Sequence, residues 1–311
     1  MINPSRRVAL ELDGVRLEVD PQAGGRVTSF SLGGVDVLAG SEVDANSYGS
    51  TFWTSPQSDW GWPPPAEVDR APYSLVAEDE NTLALAGAPH RALGVRVTKH
   101  FSADRVRGVF VLKYSIHNHG KTPKRYAPWE VSRVHARGLT FFPSGQPSTG
   151  PLAVERLGLG TWYAHDPEVL NEVGKKSFTH GTQGLLAHVA QGLLYVKSFA
   201  QVPSELQAPG EAQIEVYAND RYVEVEVQGP YAVIEPGASA AWTVRWSLRK
   251  LPPDMVPFVG NGELLALASS IARLSTAPMA RGPVQGDAGG AMASGAVRAE
   301  DVSALGRAPG E

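Results

Sequence analysis

Three stretches of this sequence gather residue types suited to handling a small polar ligand. The first, Phe52 to Pro65, holds Trp53, Trp60 and Trp62 with Gln57 and Asp59 among them. Indoles stack on the C–H faces of a pyranose while amide and carboxylate groups take its hydroxyls, so the composition suits a sugar site. Rings of this size equally suit a small core closing one end of a sheet. The second stretch, Ala127 to His135, alternates as a strand would, with Trp129, Val131, Arg133 and His135 on one face and Glu130, Ser132 and Val134 on the other. A tryptophan with an arginine two residues on can stack a ring and hold an anionic or hydroxyl group beside it. Alternatively the arginine lies on a solvated sheet face. The third, Tyr222 to Gln228, puts Glu224, Glu226 and Gln228 on one face and valines on the other. Two carboxylates about 7 Å apart along a strand perturb one another's ionisation when they face a pocket, which is how a general base near neutral pH is made. On a solvated face the same pattern serves solubility.

Other chemistries are absent from the residue inventory. With no cysteine there is no disulfide framework, thiolate zinc site, iron–sulfur cluster or cysteine nucleophile. The eight histidines show no helix-borne metal spacing, and the close pair His117 and His119 precedes Gly120-Lys121 at an expected hairpin end. Gly24-Gly25 and Gly33-Gly34 lack the strand–loop–helix context of a phosphate cradle. No cofactor or metal is therefore expected. A net charge of −4 argues against a nucleic-acid partner. No apolar run reaches the roughly 20 residues that span a bilayer, so a membrane is not expected either, and the reading is of a cytoplasmic protein.

The three stretches have to be positioned by β-structure. Alternation with period two recurs at Val15 to Asp20, Val27 to Leu32, Thr82 to Ala86, Val95 to Phe101, Val106 to His117, Arg125 to Val134, Leu185 to Ala190, Leu193 to Phe199, Gln213 to Tyr217, Tyr222 to Gln228 and Ala240 to Leu248. With 33 Gly and 24 Pro in 311 residues, turn signals separate most neighbours. Many short strands without intervening helical patterns predict a large all-β sandwich over residues 1–252. Asn46 to Pro72, with its tryptophans and Pro63-Pro64-Pro65, reads as an irregular ordered excursion. Helical spacing from Gly262 to Leu274 predicts one helix in a C-terminal segment, 253–276, and the Ala/Gly/Pro-rich tail, 277–311, reads as disordered.

In order and spacing, these motifs resemble the galactose mutarotase-like superfamily, whose best-known members are the aldose 1-epimerases. More narrowly the chain resembles a bacterial family of unknown function within it. Gly14 to Leu38, with Gly24-Gly25 and Gly34-Val-Asp36, looks like the family's first strands. Thr122-Pro123 to Val134 resembles its Thr-Pro to Asn-His-x-Tyr-Phe-Asn-Leu segment, and Phe142-Pro143 with Ser148-Thr149-Gly150 is similar to its Pro-Thr-Gly turn. Glu226-Val-Gln228 is placed like the late Glu-x-Gln, and Ile234-Glu-Pro236-Gly237 like the Leu-x-Pro-Gly turn after it. The resemblance covers roughly residues 8–250.

The resemblance implies a β-supersandwich with a sugar cleft on its concave face. In the epimerases a His protonates the ring oxygen while a Glu takes the anomeric hydroxyl proton; the ring opens, the aldehyde carbon rotates, and closure gives the other anomer. Glu226 matches the base. Trp129 stands where the His belongs, which leaves His180, near a second sugar-contacting segment, and His135, on the face of Trp129, as candidate acids. Arg133 beside Trp129 suits an acidic or otherwise modified sugar. The expectation is a carbohydrate-active protein that takes a small sugar or oligosaccharide, with Glu226, His180 and His135 as catalytic candidates and Trp53, Gln57, Asp59, Trp60, Trp62, Trp129, Arg133 and Glu224 as sugar contacts. The alternative is a sugar-binding or sensing protein without turnover, and a protein partner for the tryptophan loop is a third reading. Oligomeric state is open.

Overall fold

The computed structural model describes residues 6–277. In chain order the first strands are β1 Val8–Leu12, β2 Val15–Asp20, β3 Arg26–Leu32, β4 Val35–Asp36, β5 Ser50–Ser55, β6 Ser74–Glu78, β7 Thr82–Ala86, β8 Val95–Asp104, β9 Val109–Asn118 and β10 Lys124–His135. There follow β11 Leu139–Pro143, β12 Glu155–Leu157, β13 Gly160–Ala164, β14 Lys175–Thr179, β15 Leu185–Ala190, β16 Leu193–Phe199, β17 Ile214–Ala218, β18 Tyr222–Gln228, β19 Ala232–Ile234 and β20 Ser239–Lys250. Two helices, α1 Ala66–Asp69 and α2 Gly262–Thr276, complete the described elements.

All strand pairs are antiparallel and form two ten-stranded sheets. The first runs β1-β2-β3-β5-β10-β18-β17-β14, with β4 on β3 and β19 on β10; the second runs β12-β13-β11-β15-β16-β20-β9-β8-β7-β6. The all-β supersandwich expected from strand pattern and motif order is what forms. Alternation decides what each face does. Along β18, Val223, Val225 and Val227 enter the core between the sheets, where they join Phe30 and Phe52 of the first sheet and Phe101, Leu112, Tyr195 and Trp246 of the second. Glu224, Glu226 and Gln228 are thereby turned to the opposite, outer face of the first sheet.

The outer face of the second sheet is covered by α2. Leu264, Leu265, Ala268 and Ile271 pack on Phe141, Trp162, Ala187 and Val196, and the Asn261 side chain caps the helix by accepting from the backbone N–H of Glu263 and Leu264. The disordered tail expected from 277 onward lies, from Pro278, outside the described residues. No described helix is long and apolar enough to cross a membrane.

The excursion expected over Asn46 to Pro72 needs correction. Its Ser50–Ser55 segment is a fully buried strand in the middle of the first sheet, between β3 and β10. Thr51, Phe52, Trp53 and Thr54 are aromatic or β-branched and suit a strand buried on both faces, which shows no polar alternation to read.

Polar groups are also sealed between the sheets, among them Glu130 with Lys197, and His188. Glu130 is held by Lys197 Nζ at 2.6 Å and accepts from Trp246 Nε1 at 3.3 Å. His188, on β15, bonds through Nδ1 with Thr140 Oγ1 at 2.9 Å, and its buried Nε2 has no partner. Burial, with smaller contributions from His165 and His135, pushes its pKa down from 6.5 to about 3. The unfolded chain therefore binds a proton that the folded chain refuses across that window, so this group's share of stability is complete above about pH 6.5 and is lost on acidification. The loss reaches on the order of 5 kcal/mol as the pH nears 3. Urea unfolding at several pH values should show His188→Asn, which keeps a hydrogen-bonding group near Thr140, falling less steeply on acidification than the parent; parallel curves would refute the assignment.

Candidate functional site

The outer face of the first sheet carries the site. Cross-strand register sets Trp129 opposite both Trp53 and Gln228, Val131 opposite Glu226, and Arg133 opposite Glu224. On the far side of β18, Glu226 lies opposite Glu215 and Glu224 opposite Tyr217. Side chains that alternate onto one face thus converge from five neighbouring strands, although they are scattered over more than 170 positions of sequence.

Two ion-pair clusters organise this face. In the first, Glu226 is fully buried and its Oε2 accepts from Trp129 Nε1 and from Lys176 Nζ, each at 2.8 Å. The Lys176 ammonium also lies 2.5 Å from Glu215 Oε2 and 4.5 Å from the Trp129 ring centroid. Glu215 Oε1 accepts from the Ala212 backbone N–H and Gln228 Nε2, both at 2.8 Å, whereas Glu226 Oε1 is buried without a hydrogen-bond partner. Burial pushes the Glu215 carboxyl well above the usual range, with Lys176 opposing and Glu226 reinforcing the shift. Burial works against the Lys176 ammonium, but Glu226 and Glu215 outweigh it and raise its pKa. Lys176 is thus held as a cation.

In the second cluster, Arg133 Nε donates to Glu224 Oε1 at 2.8 Å, and the guanidinium stands 5.2 Å from the Trp53 ring centroid. Arg133 is buried, and its Nη1 has no hydrogen-bond partner. Behind it, Asp69 Oδ1 accepts from Trp53 Nε1 and Thr51 Oγ1 at 2.9 Å and from Arg26 Nη2 at 3.3 Å. Burial opposes ionisation of Asp69, but Arg26, Trp53 and Arg133 outweigh it and hold the carboxyl below its ordinary range.

The tryptophan loop closes over this face. Trp53 packs edge-on against Trp129 at 5.3 Å, Trp60 at 5.8 Å and Trp62 at 6.0 Å. Trp60 is anchored through its Nε1, which donates to Thr54 O at 2.7 Å, whereas Trp62 is 65% exposed. Both readings of the loop therefore have a counterpart: Trp53 and Trp129 make a small core, and Trp62 stands free. Beneath Trp62 lies a cavity of about 420 Å³, lined among others by Trp53, Asp69, Arg70, Arg133, Asn46 and Ser47.

The remaining candidates sit apart. Gln57 and Asp59 lie on a short 3₁₀ turn, Gln57 half-buried and Asp59 exposed, and neither lines the cavity. His135 is half-buried at the end of β10 opposite Tyr222, and His180 follows β14 with a buried Nδ1 that has no partner. Among the described residues no hydrogen bond or ion pair joins either histidine to Glu226. The cation that does touch Glu226, Lys176, was not singled out from the sequence, nor were Glu215, Asp69 and Arg26. Glu215 alone carried a signal, since it alternates with Ile214 and Val216.

A family model described as "Domain of unknown function (DUF4380)" matches residues 5–249. The chain belongs to the DUF4380 family. Solved structures show the same fold: a galactose mutarotase related enzyme from Lactobacillus acidophilus is 6% identical with a TM-score of 0.57, over 81% of this chain and 100% of that one. A galactose mutarotase-like protein from Clostridium acetobutylicum is 9% identical with a TM-score of 0.53, over 81% and 98%. A putative aldose 1-epimerase from Escherichia coli K12 is 13% identical with a TM-score of 0.52, over 79% and 99%. No curated protein matches the chain. This DUF4380 chain thus shares the fold of galactose mutarotase-like proteins, as the order of its motifs suggested.

Proposed function

We propose that this DUF4380 protein binds a saccharide in the cavity between Arg133 and the tryptophan loop. The observation that carries the reading is Trp62, 65% exposed above a cavity of about 420 Å³ whose other lining mixes an indole with polar groups. Sugar sites combine a ring face with convergent hydrogen-bonding groups, and this volume falls within the roughly 300–1,000 Å³ of small-ligand sites. Fold neighbours named as mutarotases and aldose 1-epimerases add weight by analogy.

A second reading, acid/base isomerisation with Glu226 as base, draws on the unpartnered Glu226 Oε1. Glu226 would take the anomeric hydroxyl proton as a donor protonates the ring oxygen and the ring C–O bond breaks, with the transfers reversed on closure. Lys176, the one cation in contact with Glu226 among the described residues, has a raised pKa and makes a weak acid. Glu226 itself is sealed from solvent by Trp129 and Lys176. Binding is therefore the stronger reading.

Tryptophan fluorescence titration with a panel of aldoses, paired with exchange NMR of their anomers, separates the two. Binding predicts saturable quenching, an affinity about three- to tenfold weaker in Trp62→Ala, and anomer exchange no faster than in buffer. Accelerated exchange that vanishes in Glu226→Gln would establish the second reading instead. An unchanged affinity in Trp62→Ala would remove the cavity assignment.

A further inference from the structure

The cavity under Trp62 presents a charge opposite in sign to the protein's net −4. Resting on the saccharide reading above, we propose that it selects monosaccharides bearing an oxyanion, and that Arg133 and Arg70 hold that group. Its ionisable lining consists of Arg70, Arg133 and Asp69.

Pairing accounts for most of this charge but not all. Asp69 is matched from behind by Arg26 and also receives Trp53 and Thr51 on Oδ1. Arg133 is matched by Glu224, but only through Nε. Arg70 is exposed and has no ion-pair partner among the described residues, so the lining keeps one uncompensated positive charge.

The hydrogen bonding of Arg133 adds a second, independent observation. The residue is 2% exposed, yet Nη1 has no hydrogen-bond partner. A buried N–H left unpaired is costly, and a ligand oxygen that reached it would remove that cost. A planar guanidinium offers adjacent N–H groups spaced for the two oxygens of a carboxylate or phosphate, a match that a single sugar hydroxyl does not make. Trp53, fixed by its bond to Asp69, supports the guanidinium from one side, and Trp62 covers the ring of the ligand. Neutral contacts remain for the hydroxyls, from Asn46 and Ser47.

Isothermal titration of the full chain with galacturonate, glucuronate and glucose 6-phosphate, each beside its neutral parent hexose, tests the proposal. The expected result is at least tenfold tighter binding of an acidic sugar than of its parent, with the preference shrinking as salt rises. Arg70→Ala, a surface change whose fold is checked by circular dichroism, should narrow that ratio to within about threefold. Preference for the hexuronates identifies the oxyanion as a carboxylate, and preference for the phosphate identifies a phosphoryl group. Equal affinity for acidic and neutral sugars would overturn the charge selection while leaving saccharide binding intact. Failure of every sugar to bind would overturn both.

Discussion

Lys176→Met is expected to lower the unfolding free energy at neutral pH by about 3–5 kcal/mol, which corresponds to a fall in Tm of about 6–20 °C for a domain of this size. Glu215 and Glu226 are cross-strand neighbours on β17 and β18, and both are fully buried. Lys176 bridges them at 2.5 and 2.8 Å and is the one cation that touches either among the described residues. Methionine keeps most of the stem volume but leaves two facing carboxyl groups with no counter-charge. Burial already pushes Glu215 upward with the lysine present, and without the opposing Lys176 charge the Glu215 carboxyl moves further up. A carboxyl whose folded pKa is raised binds more protons folded than unfolded, so its contribution to stability falls as pH rises through the window between the two values. The variant should accordingly regain stability on moving from pH 7 to 5. Adding Glu226→Gln should recover part of the loss at neutral pH, because the amide oxygen still accepts from Trp129 Nε1. A Lys176→Met protein within about 1 kcal/mol of the parent and indifferent to pH would show that the cluster is not an electrostatic unit.

How much of this was legible in the sequence depended on whether an element left one face in contact with something different. Tyr222–Gln228 alternates valine with polar residues because its valines enter the inter-sheet core while its carboxylates line the outer face, and its bounds could be read directly. Leu185–Ala190 and Leu193–Phe199, which are buried on both faces because α2 covers the outer one, were read among the same runs even though His188 and Lys197 point into the inter-sheet core. The strand Ser50–Ser55 was missed for want of alternation. Within the site, alternation placed Trp129 with Arg133 and Glu224 with Glu226, each pair on one face of its own strand, and the pairing of the two strands brings all four onto one face. Lys176 was invisible for a different reason. Its strand carries no apolar alternation, and its meaning comes from β17 and β18, strands about 40 to 50 residues away in sequence. Asp69 likewise sits in a four-residue helix, and only the approach of that helix to β5 makes it the acceptor for Trp53.

The approach of α1 to β5 has its own test in Gly24→Ala, expected to cost on the order of 4 kcal/mol and to weaken saccharide binding with it. Gly24 follows the turn Pro21–Ala23 at φ +77°, and a Cβ there would lie 2.0 Å from the Asp69 backbone oxygen. No side-chain rotation relieves an overlap with backbone, so either the turn or α1 has to move. Movement of α1 displaces the Asp69 carboxylate on which Trp53, Thr51 and Arg26 converge, and with it the floor of the cavity. Movement of the turn instead disturbs the Gly24 carbonyl, which accepts from the buried Lys99 Nζ at 2.7 Å. Gly33→Ala supplies the control. That residue also has a left-handed backbone, φ +60°, but nothing lies within 4 Å of its would-be Cβ, so the change should cost only the conformational penalty of about 1–2 kcal/mol and leave sugar affinity unaltered. Chemical unfolding of both variants, with a titration of each against the best-bound sugar, separates backbone strain from the packing of α1. Equal costs for the two substitutions would mean that the close approach of Gly24 to Asp69 does not hold the site in place.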